Sequence, residues 1–269
     1  MKSNGGIDVK DTKAFVRRPR AKVGETRTYV FERNGETVSC DLVFSGLPAK
    51  NVVLSFAGTI IGFCFLIFGL WAYLKLQTHA TTLLAAVGIS LGFSFVDTPY
   101  IASYTFRMIF ASIANVIVIF SLAFLLHFMV VFPKVKAMLE KKSIKILLYT
   151  PAVLIALFIL FLIFVQPDST STFNTLVNIL IGVFFAGYLG LTAVALIHSY
   201  VKSTSEEREA FGLKFMFFGT IIGLAPVIIS AIIGIFAPKL VLPGVEFYFL
   251  TMVLIPISLA LACVKSEQQ

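Results

Sequence analysis

From residue 52 to residue 264 the chain is a succession of apolar runs of membrane-spanning length, parted by short polar loops. Nothing else in it restricts the fold as far. Hydrocarbon offers no water to backbone N–H and C=O groups, so a spanning segment must satisfy them internally, as a helix or within a closed barrel. The runs are long and lack the alternation of barrel strands, which leaves helices. Seven segments reach or approach the ~20 residues that cross a bilayer core: 52–74, 80–96, 108–132, 146–165, 176–201, 215–236 and 247–264. The expected fold is an all-α integral membrane protein of seven transmembrane helices over residues 49–265, ending in a cytoplasmic tail at 266–269. A small α+β segment, residues 1–48, precedes it.

Composition agrees: 58% of the 269 residues are hydrophobic, 28 of them Phe, and only 13% are charged. An ordinary soluble domain is ~45–50% apolar. The net charge of +8 reads as topology, because the apolar runs leave no folded basic face for nucleic acid outside the N-terminal arm. Loops one, three and five and the C-terminal tail hold ten Lys or Arg, with Lys134, Lys136, Lys141, Lys142 and Lys145 in the third, against Arg107 and Lys239 in loops two, four and six. Basic loops stay in the cytoplasm, so the C-terminus is expected inside and, with an odd number of helices, the arm outside. Cys40, Cys64 and Cys263 have no metal or redox spacing and imply no disulfide framework. MKSNGGIDVKDTKAF has no apolar centre and is not a signal peptide.

The arm has a pattern of its own. TRTYVFERNGETVSCDLVF sets Asn34-Gly35 between two runs of strand formers, the strongest short-range signal for a two-residue hairpin turn. Pairing outward from the turn puts Phe31 opposite Val38 and Tyr29 opposite Cys40, with Leu42 and Phe44 on the same face. Thr28, Glu32, Thr37, Ser39 and Asp41 form the other face. A lone hairpin is marginal in water, and its apolar face finds only part of a partner in the amphipathic stretch 9–16.

These residues carry a resemblance. GGIDVKDTKAFV followed by KVGETRTYVFERNGETVSCDLVF resembles the C-terminal half of a bacterial PDZ domain, through Gly6, Val9, Asp11, Gly24, Glu25, Arg33 and Gly35. The carboxylate-binding loop of such a domain would lie before Met1, so the arm is expected to be one part of a module and, as it stands, not to capture a peptide terminus. The remainder resembles the multi-helix membrane input region of bacterial sensor histidine kinases of the competence quorum-sensing type. LHFMVVFP (126–133) matches their L-H-F-x-x-x-F-P helix exit. EEREAFGLKFMFFGTIIGLAP (206–226) and PISLALACVK (256–265) match a later loop-to-helix segment and the end of their last helix. The resemblance implies a two-component signal-transduction receptor in the bacterial cytoplasmic (inner) membrane, whose output domain would follow Gln269. It leaves membrane lipid, a homodimer, an extracellular peptide or lipid-derived signal, and a cytoplasmic signalling partner as candidate partners, and implies no cofactor.

His127 lies six residues before Pro133, only ~9 Å from the cytoplasmic end of its helix. An ionisable group within a membrane is a candidate for sensing. At so shallow a depth, a neutral histidine bonding a neighbouring helix is the preferred reading. Asp97 and Arg107 are a candidate charged rim at the outer face, against the alternative of a solvated loop pair worth under ~1 kcal/mol. Pro226 and Pro256 should kink the helices that contain them, as bundle shape or as hinges. Gly58 with Gly62, Gly88 with Gly92, and Gly219 with Gly223 are small-xxx-small pairs that let helices approach closely, within the bundle rather than at a dimer seam. Ser205 or Thr204 should cap the helix start at Glu206, Glu207, Arg208 and Glu209.

Enzymatic motifs are lacking: no H-E-x-x-H, G-x-S-x-G or P-loop occurs, and no Asp or Glu falls inside the apolar runs. The chain is expected to be non-catalytic, the sensor region of a receptor. A small-solute transporter or channel, or an accessory subunit of a membrane protease, are the rival classes.

Overall fold

The computed structural model describes residues 3–4, 7–8, 21–33, 36–96, 103–136, 141–165, 171–236 and 244–266. The chain divides into two compact units, Met1–Val52 with Tyr100–Arg107, and Val53–Pro99 with Met108–Gln269.

In the first unit a sheet of order β2-β1-β3-β4 is built on the hairpin of β3 (Thr26–Arg33) and β4 (Glu36–Val43). Its register sets Phe31 against Val38 and Tyr29 against Cys40, the pairing read from the sequence. The Thr28 hydroxyl donates to Asp41 across the strands at 2.6 Å, while Tyr29 and Phe31 stack on the opposite face. Two short strands, β1 (Ser3–Asn4) and β2 (Ile7–Asp8), extend the sheet, with Asn4 opposite Tyr29. Sequence periodicity cannot find two-residue strands, since they are too short to alternate. Residues 9–16, 34 and 35 lie outside the described residues, as do Gly6, Val9 and Asp11 of the PDZ-like pattern.

The second unit is helical. Among the described residues the helices are α1 (Ala49–Lys75), α2 (His79–Phe95), α3 (Tyr104–Val131), α4 (Lys142–Val165), α5 (Ser171–Lys202), α6 (Ser205–Ala210), α7 (Leu213–Phe236), α8 (Val245–Tyr248), a 3-10 turn Phe249–Val253 and α9 (Leu254–Ser266). Among the described residues five stretches are long and apolar enough to cross a membrane: Ala49–Lys75, Thr105–Val131, Lys142–Phe164, Thr175–Lys202 and Phe249–Ser266. The apolar helices His79–Phe95 and Leu213–Pro226 are shorter. Large apolar side chains such as Leu147, Leu154, Phe161, Val183 and Phe215 stand exposed on the outer faces, a surface that water does not tolerate.

The elements form where local chemistry starts and stops them. Thr78 caps α2 in a reciprocal box with Thr81, so only Leu76, Gln77 and Thr78 separate it from α1 and the two helices run antiparallel. Pro133, two residues past the end of α3, has no N–H to continue the helix; the Phe132–Pro133 peptide is cis. Thr204, not Ser205, caps α6, with Glu207 completing the box.

The last apolar run is not one uniform helix. Pro256 sits in the first turn of α9, preceded by the 3-10 turn. A proline at that point deprives the Met252 carbonyl of its usual α-helical donor, and the Leu254 N–H instead turns back to Thr251 and Met252 in the tighter bonding that suits short pieces. Pro226 lies inside α7, as does Pro151 inside α4.

Candidate functional site

The polar chemistry of the helical unit gathers where α3 ends. His127 is buried, and its Nδ1 shares a hydrogen bond of 2.8 Å with the Tyr149 hydroxyl of α4. Its Nε2 has no hydrogen-bond partner among the described residues. The exposed ring of His79, at the start of α2, packs edge-on to the His127 ring with centroids 5.4 Å apart. One imidazole therefore joins three helices. This arrangement suits a packing contact and offers one unused ring nitrogen.

Beside it lies a cavity of about 560 Å³, lined by Leu126 and Val130 of α3, by Ile144, Leu147, Leu148 and Pro151 of α4, by Tyr188, Leu191, Val194, Ala195 and His198 of α5, and by Lys136. That volume is ordinary for a small-molecule site. Pro151 brings no N–H to the α4 ladder, and one turn earlier the Tyr188 hydroxyl donates to the Leu148 carbonyl at 2.6 Å. A side chain set into the ladder beside a proline is a known origin of helix bends, and here the altered turn forms part of the cavity wall. Lys136 donates to the Ala195 carbonyl at 3.0 Å and, more weakly, to that of Met129 at 3.4 Å. Burial pushes its ammonium below the ordinary lysine range.

Contacts hold this end of the unit together. The Lys134 ammonium donates to Glu207 at 2.5 Å, tying the segment after α3 to the cap of α6, and stands over the Phe211 ring. Arg208 donates to the Tyr200 carbonyl at 2.8 Å and lies on the Tyr200 ring. Hydrogen bonding by Lys134, above all, holds the Glu207 carboxyl below the usual glutamate range.

The six glycines lie at helix contacts within the chain. A Cβ at Gly62 would come 2.7 Å from the Gly92 carbonyl oxygen, one at Gly88 2.5 Å from that of Phe65, and one at Gly58 3.0 Å from that of Phe95. Gly219 faces Ser258, and Gly223 faces Ile255 and Thr251; the Thr251 hydroxyl also reaches the Gly223 carbonyl at 3.3 Å. Arg107 is half-buried in the first turn of α3, while Asp97 lies outside the described residues. Pro226 and Pro256 do not line the cavity, and His127 adjoins it through its neighbour Leu126. His79, Tyr149, Tyr188 and Pro151 carry no sequence motif. Only Pro151, alone in an apolar run, leaves a sign in the sequence. Among the described residues no cluster of His, Cys, Asp and Glu could hold a metal ion.

No family model, no curated protein and no solved structure matches the chain.

Proposed function

We propose that the chain is the membrane-embedded sensor region of a bacterial signal-transduction receptor, with seven spans and its N-terminal arm on the outer side. The cavity among α3, α4 and α5 carries this reading. It is large enough for a small amphiphile, its walls are apolar, and its polar groups among the described residues are an amine, a phenol and an imidazole, with no carboxylate in the lining. An apolar pocket with a few polar groups at one end suits an amphiphilic ligand. The short helix α2 and the 24-residue α7 serve as the remaining two spans, since at ~1.5 Å per residue α7 measures ~36 Å, and α2, at ~26 Å, needs only modest local thinning of the bilayer. The L-H-F-x-x-x-F-P exit at 126–133 supports the receptor class, because its histidine and proline stand where α3 leaves the bundle toward the basic segment.

A receptor region should respond to its ligand at the basic end without moving it across the membrane. Spin labels at Lys142 and Lys202, the ends of α4 and α5 nearest the cavity, report this by double electron–electron resonance in proteoliposomes. A distance change on adding an organic extract of spent culture medium, with no saturable solute uptake, supports the sensor. Saturable uptake that a cavity-filling Leu191→Trp variant abolishes would replace it with a transporter.

A further inference from the structure

We propose that the cavity between α4 and α5 holds one anionic phospholipid of the surrounding bilayer, its acyl chain against Leu147, Leu191 and Val194 and its phosphate at Lys136. This rests on reading the chain as membrane-spanning, and it names an occupant for the cavity on which the sensor reading is built.

Three observations lead there. The wall residues Leu147, Leu191 and Val194 are 68%, 57% and 62% exposed, so the cavity opens sideways between helices, onto what would be hydrocarbon. An acyl chain can enter by that route without crossing water. Second, Lys136 is half-buried at the cavity and bonds only main-chain carbonyls, those of Ala195 and Met129; among the described residues no carboxylate pairs with it. A partly desolvated cation that meets only dipoles is incompletely compensated, and a phosphate would supply the missing charge. Third, Lys136 belongs to the segment that follows α3, where the helix has ended and lipid headgroups would lie. A lysine there places its charge at headgroup level with apolar walls beside it. The ligand is thus an anion with a long apolar tail, and the lateral opening selects the bilayer as its source.

The experiment uses the full chain in liposomes, with spin-labelled phosphatidylglycerol, phosphatidylcholine and stearate as probes and the motionally restricted fraction of each as the readout. Wild type should favour phosphatidylglycerol over phosphatidylcholine by about fivefold, the worth of one lysine near a membrane surface. Lys136→Gln should remove the preference. Lys141→Gln, which deletes an exposed charge on the same segment, should keep it, and Leu191→Trp should lower restriction of both phospholipids by filling the cavity. Equal restriction of the two phospholipids by wild type, a preference that survives Lys136→Gln, or an equal loss in Lys141→Gln would each overturn the proposal, the last because diffuse surface charge would then explain the selection. Stearate taken ahead of phosphatidylglycerol would overturn it in favour of a free acid. None of these readings depends on signalling, so the sensor reading can fail while lipid binding stands, and the reverse.

Discussion

His127 Nδ1 and the Tyr149 hydroxyl are 2.8 Å apart, a bond that fastens the end of α3 to the first half of α4 beside the cavity. Tyr149→Phe keeps the ring and removes the bond. Hydrogen bonds between membrane helices average ~0.6 kcal/mol and reach ~1.7, while stranding a buried group costs ~1–3 kcal/mol. The expected loss is about 1 kcal/mol in unfolding of the purified protein by detergent. The double variant His127→Phe with Tyr149→Phe leaves no stranded nitrogen and should lose less than the two single variants together. Strict additivity would mean that the bond contributes nothing.

The seam between α1 and α2 makes a sharper demand. A methyl at Gly88 would meet the Phe65 carbonyl oxygen at 2.5 Å and the Gly69 Cα at 3.0 Å. Both are backbone atoms and cannot swing aside, so the helices must part. Gly88→Ala should cost ~1–3 kcal/mol, the range for overpacking, read as a lower midpoint in thermal size-exclusion assays. Gly187→Ala, on a stretch of α5 where nothing lies within 4 Å, should leave the midpoint unchanged or raise it. If the two variants behave alike, the α1–α2 packing is wrong.

Much of this was legible in the sequence because membrane helices and hairpins write themselves in local patterns. Spanning length marks α1, α3, α4 and α5, and Asn34-Gly35 between strand formers fixes the β3–β4 register. The three glycine pairs mark tight contacts, although nothing local says that Gly62 meets Gly92 while Gly88 meets Phe65 and Gly69. The cavity was not legible. It arises from a proline in α4, a tyrosine on α5 forty residues away that donates to Leu148, and a lysine beyond α3 that turns back to Ala195. No period in any one helix encodes those meetings. The 3-10 turn before α9 follows from Pro256 only once the start of that helix is known.

The Glu207 carboxylate gives the loops a pH dependence. Its folded value is held below the ordinary 4.5, first by the hydrogen bond from Lys134. A depressed carboxylate contributes stability above its unfolded value, and that contribution is lost as pH falls through the folded value. Amide exchange over residues 204–211 should therefore be steady from neutral pH down to about 5, apart from the intrinsic pH dependence of exchange, and accelerate relative to that baseline below the ordinary glutamate value. Glu207→Gln should be faster at neutral pH and lack the acid step. An acid step of the same size in the Gln variant would assign it to another group.

Sidedness is the prediction on which the receptor reading most depends. Basic loops are retained in the cytoplasm, and the segment with Lys134, Lys136, Lys141, Lys142 and Lys145 is the most basic loop between the helices. It should lie inside and, across an odd number of spans, the hairpin outside. Cys40 is exposed on β4, and Lys141 is exposed just before α4, so both positions can react. In a background with Cys64→Ala and Cys263→Ala, a maleimide that cannot cross the membrane should label Cys40 on intact cells. With Cys40→Ala added, Lys141→Cys should be labelled only after the cells are opened. Of the five stretches that are both long and apolar enough, only Ala49–Lys75 and Thr105–Val131 lie between these two positions, so if α2 did not cross, Cys40 and Lys141 would share a side, and opposite sides require α2 as a third span. A cysteine at exposed Lys75, between α1 and α2, checks the crossing of α2 independently: if α2 crosses, it is protected like Lys141, and if α2 lies along the surface, α1 and α3 alone cannot place Lys75 and Lys141 on the same side. Labelling of Cys40 only in opened cells would place the hairpin in the cytoplasm and overturn the receptor reading with it.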